Sequence, residues 1–165
     1  MSRGYWLLAA TLATLILWPS DAAAQRRGRG GGLFSGPIEA GPRVGRDFEN
    51  HAWSLGGQVR IPLSGNLQLR PSGDVFFPRR GDTGWQLNGD AAIHIGQGGG
   101  LFAGGGIAYA DLGAGGAETG YNLFFGLSTA PPLASLKPFV EFRWTFIEDT
   151  SPFRLAAGFT WWLGR

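Results

Sequence analysis

Residues 153–165, at the end of the chain, alternate between two kinds of side chain with the two-residue spacing of a β-strand. Apolar residues take every second position and polar or small residues take the positions between them, with Trp162 as the single break. The apolar positions are Leu155, Ala157, Phe159, Trp161 and Leu163, and the opposite positions are Arg154, Ala156, Gly158, Thr160 and Gly164. Successive side chains of a strand point to opposite faces. One face of this strand therefore requires an apolar environment, and the other requires a polar or tightly packed one.

Seven earlier stretches repeat this alternation and are predicted to be strands. They span residues 37–47, 52–63, 67–77, 85–95, 101–109, 119–128 and 137–147. The segments between them are short and rich in turn-forming residues, which is typical of antiparallel neighbours. No segment after residue 24 keeps the apolar spacing of a helix without an interrupting Gly or Pro. The sequence therefore predicts an all-β fold of eight antiparallel strands.

Residues 1–24 are predicted to be a cleavable signal peptide. Arg3 lies near the start, and residues 6–18 form an uncharged apolar run that ends before Pro19. Ala22 and Ala24 then supply the small residues of a cleavage site, so we predict cleavage between Ala24 and Gln25. An uncleaved membrane helix is the alternative, but the apolar run is shorter than the ~20 residues that such a helix needs.

Residues 25–36 are predicted to be a flexible basic leader, and residues 37–165 a single barrel domain. Arg26, Arg27 and Arg29 are interspersed with glycines, and the leader has little apolar surface to bury. A solvated leader is the favoured interpretation, and contact with anionic lipid headgroups is the alternative.

The composition excludes several kinds of function. Because the chain has no Cys, it has no disulfide framework, no thiolate metal site and no lipoprotein anchor. The formal net charge of +2 is too small to indicate a nucleic-acid partner. No group of residues has metal-ligand spacing, and no cofactor motif is present, so we predict neither a metal site nor a cofactor.

Eight two-faced strands behind a secretion signal predict an up-and-down transmembrane β-barrel, with lipid outside and a filled polar interior. The pattern resembles that of the small OmpA/OmpX-type outer-membrane barrel domains, and three runs carry the resemblance: 67–72 (LQLRPS), 137–143 (KPFVEFR) and 157–163 (AGFTWWL). The resemblance implies a place in the outer membrane of a Gram-negative-type envelope and an N-terminus on the periplasmic side. It also implies outer-membrane lipid and the barrel assembly machinery as partners. Members of the family commonly end on an aromatic residue, whereas this chain ends on Arg165.

Aromatic residues at one end of the strands support this topology. With a periplasmic N-terminus, the external strand ends carry an outward aromatic girdle of Trp53, Phe77, Trp85, Tyr109, Tyr121, Phe146 and Phe153. The predicted external loops, residues 48–51, 78–84, 111–118 and 148–152, are short and leave little surface for an adhesin.

The inward positions carry four acids and five arginines: Glu39, Asp74, Asp90 and Glu141, with Arg43, Arg60, Arg70, Arg143 and Arg154. Isolated buried charges are costly, so we expect these residues to form ion pairs. An ion path or a proton relay is one interpretation. A filled, salt-bridged interior is favoured, because an eight-stranded barrel has just enough interior for side chains.

No catalytic residue is predicted. His51 and His94 are the only histidines, and they lie on different segments. His94, Asp90 and Ser72 all face inward and are the one combination that could form a hydrolytic triad, but a lumen histidine with ordinary packing partners is favoured. The glycines at 98–100 and 104–106 lack the context of a phosphate-binding loop and are predicted to be turn and strand residues.

The function that these patterns favour is a non-enzymatic outer-membrane barrel with a structural or partner-docking role. A narrow channel or small-ligand carrier is the first alternative. An envelope-lipid-modifying enzyme is the second, and it would need a polar catalytic group on the outward face. A soluble lipocalin-like barrel is the alternative fold, and it would place the apolar residues inside and the arginines outside.

Overall fold

The computed structural model describes residues 36–64, 66–95, 100–112, 116–129, 136–148 and 150–163. The predicted signal peptide, its cleavage site and residues 25–35 of the predicted leader lie outside this part of the chain. Gly98 and Gly99 of the predicted glycine turn also lie outside it. The described residues contain no helix that is long and apolar enough to cross a membrane.

Nine strands in the described part of the chain form one antiparallel sheet that closes on itself. They are β1 (Glu39–Asp47), β2 (Ala52–Ser64), β3 (Leu67–Leu69), β4 (Ser72–Pro78), β5 (Gly84–Ile95), β6 (Leu101–Asp111), β7 (Glu118–Ser128), β8 (Lys137–Phe146) and β9 (Phe153–Trp162). β3 and β4 together occupy one strand position in the barrel wall, since both pair with β2 and with β5. The predicted all-β, eight-stranded, antiparallel, closed barrel is therefore confirmed.

The two rims of the barrel carry different parts of the chain. One rim, called the near rim, carries the first residue of β1, the last residue of β9 and the connections 64–67, 95–101 and 128–137. The other, called the far rim, carries the connections 47–52, 78–84, 111–118 and 146–153. The connections at the far rim are short, as predicted for the external loops.

The closing pair of strands, β1 and β9, leaves no free edge in the barrel wall, as predicted. The register runs from Glu39 opposite Trp162 to Asp47 opposite Arg154. The pairing skips Gly41 and Pro42, because a proline has no N–H to donate to the ladder. Beyond the last strand residue, the Leu163 N–H donates to the Ile38 carbonyl oxygen at 2.8 Å.

The strand position that β3 and β4 share, residues 67–78, differs from the prediction of one continuous strand. Arg70 and Pro71 separate β3 from β4, and Pro71 again has no N–H for the ladder. The interruption does not open the wall. The Val59 backbone N–H donates to the Pro71 carbonyl oxygen at 2.9 Å, and the Arg70 backbone N–H donates to the Asp90 carbonyl oxygen at 2.8 Å.

The two faces of the wall are assigned as predicted. Large apolar side chains point outward and are well exposed, and the most exposed are Trp53, Leu55, Ile107, Tyr121, Leu123 and Leu127, at 53–67%. All nine predicted lumen charges are buried, none more than 7% exposed. The lipocalin-like alternative, which requires the opposite arrangement, is therefore wrong. Ala40 is an outward residue that is nevertheless fully buried, because it is small and pairs with Val59 and Trp161.

The predicted aromatic girdle lies on the outward face at the far rim. Neighbouring strands bring its rings together: Trp85 and Tyr109 have centroids 5.4 Å apart, and Tyr121 and Phe146 have centroids 4.8 Å apart. Arg46 is also at this rim, with its guanidinium carbon 5.3 Å from the centroid of the Trp53 ring.

Inward glycines of β6 and β7 make room for the two phenylalanines that fill the interior. A Cβ added at Gly104 would lie 2.5 Å from Cζ of Phe124, and one added at Gly126 would lie 2.5 Å from Cζ of Phe102. Both separations are far shorter than normal carbon contacts. Each ring therefore occupies the space beside a glycine on the neighbouring strand.

Candidate functional site in the barrel interior

The interior contains two layers of charged side chains. The layer toward the far rim, called the carboxylate layer, contains Asp74, Asp90 and Glu141 with Arg43, Arg143 and Arg154. The layer toward the near rim, called the aromatic layer, contains Phe102, Phe124 and Phe139 with Arg60 and Arg70. Strand alternation places all of these residues on the inward face.

Asp74 is the acceptor for two arginines of the carboxylate layer. Its Oδ1 accepts from Arg43 Nε at 2.8 Å, and its Oδ2 accepts from Arg43 Nη2, so that pair is bidentate. Its Oδ2 also accepts from Arg154 Nη1 at 3.1 Å. Charge-assisted, bidentate pairs of this kind are the strong class of hydrogen bond. Asp74 therefore joins β1, β4 and β9 across the lumen.

Arg143 joins the other two carboxylates of the layer. Its Nη1 donates to Asp90 Oδ2 at 2.7 Å, and its Nε and Nη2 lie 2.9 and 2.8 Å from Glu141 Oε1. Glu141 also forms longer ion pairs, with Arg43 Nη1 and Arg70 Nη1, both at 3.6 Å. Glu141 is thus shared by three guanidinium groups.

Neutral polar side chains complete the hydrogen bonding of the carboxylate layer. Gln86 Oε1 accepts from Arg154 Nη2 at 2.7 Å, and Asn122 Nδ2 donates to Asp90 Oδ1 at 3.0 Å and to Asn88 Oδ1 at 2.9 Å. Thr145 Oγ1 donates to Asn122 Oδ1 at 2.8 Å. The alternation of the predicted strands places these residues on the inward face, but it does not show which partners they reach. Their inward position is the sequence feature that could have indicated a place in the network.

The aromatic layer holds its arginines against ring faces. The guanidinium carbon of Arg70 lies 4.0 Å from the Phe102 centroid and 5.7 Å from the Phe124 centroid, and that of Arg60 lies 4.8 Å from the Phe139 centroid. With the Gln58 amide oriented to satisfy its partners, its oxygen accepts from Arg60 Nε and Nη2 at 3.2 and 3.3 Å. Cation–π contacts at desolvated sites contribute about 2 kcal/mol.

A smaller ionic group lies at the near rim. Glu39 accepts from the Lys137 amine and, at 3.0 Å, from Thr160 Oγ1, and it lies 3.7 Å from Arg60 Nη1. Glu39 and Arg60 therefore form a group of their own, and Lys137, which is not among the predicted lumen charges, belongs to it. The structure thus divides the nine predicted lumen charges between two clusters.

Asp90 and Ser72, two of the three residues of the considered triad, are held by other hydrogen bonds. Asp90 accepts from Asn122 and Arg143, and Ser72 Oγ accepts from Asn88 Nδ2 at 3.1 Å. The His94 ring packs against Phe102, with 5.9 Å between centroids, and His51 lies in the 48–51 turn at the far rim. Among the described residues no group of three or more His, Cys, Asp or Glu side chains could hold a metal ion.

One small pocket opens at the far rim, between the 47–52 and 78–84 connections. Its volume is about 20 Å³, and Asp47, Phe76, Asp82 and Leu112 are among its lining residues. A volume of this size holds about one water molecule. Asp47 is also engaged in its own turn, where its Oδ1 accepts from the backbone N–H groups of Glu49 and Asn50 at 3.0 and 2.9 Å.

Comparison with known proteins shows a likeness in fold. No family model matches the sequence, and no curated protein matches it. The chain is similar to the crystal structure of the N-terminal β-barrel domain of Pseudomonas aeruginosa OprF, with a TM-score of 0.65 at 17% identity over 78% of this chain and 98% of that one.

Two further solved structures share the fold. Neisserial surface protein A (NspA) gives a TM-score of 0.54 at 12% identity over 75% of this chain and 93% of that one. The de novo designed barrel TMB2.3 gives 0.53 at 14% identity over 79% and 96%. The chain thus has the eight-stranded fold of the OmpA-like OprF barrel and of NspA, and the predicted resemblance to small outer-membrane barrels is confirmed at the level of the fold.

Proposed function

We propose that this chain is an integral outer-membrane β-barrel protein with a non-enzymatic, structural or partner-docking role in the envelope. The observation that carries the proposal is the inversion of its faces, with exposed leucines and aromatic rings outside and buried arginines and carboxylates inside. Exposed apolar surface of this extent is a liability in water, whereas hydrocarbon is the environment that it fits. The likeness in fold to OprF and NspA supports the same location.

The proposal includes the route to the membrane. Residues 1–24 act as the signal peptide, cleavage follows Ala24, and residues 25–36 form a basic leader on the periplasmic side. The near rim then faces the periplasm and the far rim faces outward. Insertion depends on the barrel assembly machinery, and outer-membrane lipid covers the outward face.

The filled interior favours a structural or docking role over a channel. The carboxylate layer ties strands on different sides of the barrel to one another across the lumen through arginines that are at most 3% exposed. An ion crossing the lumen would have to separate these pairs. The enzyme alternative has little support on the outward face, where the polar side chains of the described strands, such as Arg46, Asp111 and Thr119, lie at the far rim.

Expression in a Gram-negative host tests the location. We expect the protein in the detergent-extracted outer-membrane fraction, with the mass of a chain that begins at Gln25. A soluble periplasmic product would contradict the proposal. Discrete conductance steps of the purified protein in a planar bilayer would favour the channel over the structural role.

Leu87 provides a test of the lipid-facing assignment. It is 43% exposed on β5. An arginine at the mid-bilayer depth of a barrel wall costs roughly 2–4 kcal/mol. We therefore expect Leu87→Arg to lower the free energy of unfolding in lipid vesicles by about that amount, while the control Leu87→Met stays close to wild type. Equal stability of the two variants would contradict a lipid-facing position.

A further inference from the structure

Arg70 is held differently from the other arginines of the interior. Its side chain is 2% exposed, and none of its three nitrogens, Nε, Nη1 and Nη2, has a hydrogen-bond acceptor among the described residues. Guanidinium groups stay protonated in proteins and carry five N–H donors. A buried charged donor without an acceptor is costly, and each such case in a folded protein calls for a partner.

The nearest carboxylate is already committed to another arginine. Glu141 Oε2 lies 3.6 Å from Arg70 Nη1, which is beyond normal hydrogen-bond distance. Glu141 Oε1 meanwhile accepts from Arg143 at 2.9 and 2.8 Å. Even at hydrogen-bond distance, Glu141 Oε2 would accept from Arg70 Nη1 and would leave Nε and Nη2 without an acceptor among the described residues.

The charges around Arg70 are also unbalanced. The ion pairs of the connected cluster join four guanidinium groups, of Arg43, Arg70, Arg143 and Arg154, to three carboxylates, of Asp74, Asp90 and Glu141. Asp47, which is buried opposite Arg154 at the far rim, supplies a fourth negative charge at that end of the interior. Next to Arg70, however, Glu141 is the one carboxylate among the described residues, against the guanidinium groups of Arg43, Arg60 and Arg143. No side chain of the connected cluster is more than 2% exposed. An uncompensated buried charge is strongly unfavourable.

We propose that the barrel interior binds one small monovalent anion, of the halide class, against the donor edge of Arg70. One such ion supplies the missing acceptor and offsets the local excess of positive charge around Arg70. The Phe102 ring covers one face of the guanidinium at 4.0 Å, so the anion is held at the N–H edge. The packing of Phe102 and Phe124 around Arg70 suits a small ion better than an organic acid.

The near rim provides a path of matching charge. Arg60 and Lys137 share the single carboxylate of Glu39 there, which leaves a second excess of one positive charge. Arg60 also contacts the Phe102 ring that packs on Arg70, at 6.0 Å to the centroid. Positive potential in a narrow opening raises the local concentration of anions. The ion therefore reaches Arg70 from the near rim.

Crystals of the wild-type barrel grown in sodium bromide give the direct test. We expect an anomalous difference peak within hydrogen-bond distance of Arg70 Nε, Nη1 or Nη2. Ordered water at these nitrogens without anomalous signal would overturn the proposal, and so would bromide peaks confined to the surface. This result does not depend on the proposed role in the envelope.

A solution test uses the effect of chloride on unfolding in lipid vesicles, with gluconate holding the ionic strength constant. Because a ligand of the folded state stabilises it by mass action, a Kd of about 50 mM lowers the unfolding equilibrium constant about tenfold at 0.5 M chloride. We expect that response in the wild type and in the outward-face control Arg46→Met, and its loss in Arg70→Met. Arg70→Lys, which keeps the charge with fewer donors, is expected to retain a weaker response. An unchanged response in Arg70→Met would overturn the proposal.

Discussion

The carboxylate layer and the aromatic layer bury the same kind of side chain and hold it in different ways. In the carboxylate layer, the arginines donate to carboxylate oxygens at 2.7–3.1 Å. In the aromatic layer, the nearest carboxylate oxygens are 3.6–3.7 Å away, and phenylalanine rings lie against the guanidinium faces. Rings also lie over two arginines of the carboxylate layer, with Arg154 4.3 Å from the Phe76 centroid and Arg143 4.7 Å from the Phe124 centroid. The layers therefore differ in the carboxylate hydrogen bonds of their arginines, and ring contacts are common to both.

The difference predicts which layer depends on each of its charges. In the carboxylate layer every carboxylate serves two or more arginines or amides, so the loss of one charge leaves other charges unpaired. In the aromatic layer Arg70 makes no hydrogen bond to a carboxylate in the described residues, so its removal leaves no carboxylate without a hydrogen-bonded arginine. Substitutions in the two layers should separate these cases.

Removing the charge of Asp74 should have the largest effect. Asp74→Asn keeps the shape of the side chain but leaves Arg43 and Arg154 without their shared carboxylate. Breaking a buried pair by removal of one partner costs about 3–5 kcal/mol. We expect that loss in the free energy of unfolding measured by urea titration in lipid vesicles. The control Asp82→Asn, in an exposed loop, should change it by less than about 0.5 kcal/mol. A loss below 1 kcal/mol for Asp74→Asn would contradict the role of the carboxylate layer.

The fold was predictable because a strand pattern has a period of two. The alternation assigned the lumen charges and the girdle residues to their faces, and a closed barrel without a free edge in lipid requires its first and last strands to pair. The break at Pro71 was missed because the alternation of apolar residues continues through it, while the missing N–H affects only the hydrogen-bond ladder.

The interior contacts were not predictable to the same depth. Register shows that Arg70 and Arg143 point inward, but which carboxylate each one reaches depends on side-chain conformation and on the stagger of the strands. Asn88 shows the same limit. Its inward position was predicted, but not that its amide would donate to Ser72 and its oxygen accept from Asn122. The aromatic layer was missed because Phe102, Phe124 and Phe139 follow one another on three successive strands, far apart in sequence.

An added methyl group at Gly126 should have an intermediate effect and tests the packing of the aromatic layer. The Cβ of Gly126→Ala would lie 2.2 Å from the Val140 backbone oxygen and 2.5 Å from Cζ of Phe102, whose ring also covers Arg70. Overpacking of this kind costs about 1–3 kcal/mol. Gly89→Ala is the matched control, because its Cβ would point outward and meet the Ile107 Cγ1 at an ordinary 3.5 Å. Equal unfolding free energies for the two variants would mean that both the Phe102 ring and the backbone at Val140 can move aside, and that the layer is loosely packed.

Replacement of Arg70 should have the smallest effect, although the residue is as deeply buried as Arg143. Arg70→Met removes one of the positive charges that surround Glu141 and leaves Glu141 with Arg143 and Arg43. It loses the cation–π contact with Phe102, for which the Met sulfur contact with the same ring partly compensates. In chloride-free buffer we expect an unfolding free energy within about 1 kcal/mol of wild type, whereas Arg143→Met, which deprives Asp90 and Glu141 of hydrogen bonds, should lose about 3–5 kcal/mol. If the two variants lose the same stability under these conditions, Arg70 belongs to the carboxylate network and the division of the interior into two layers is wrong.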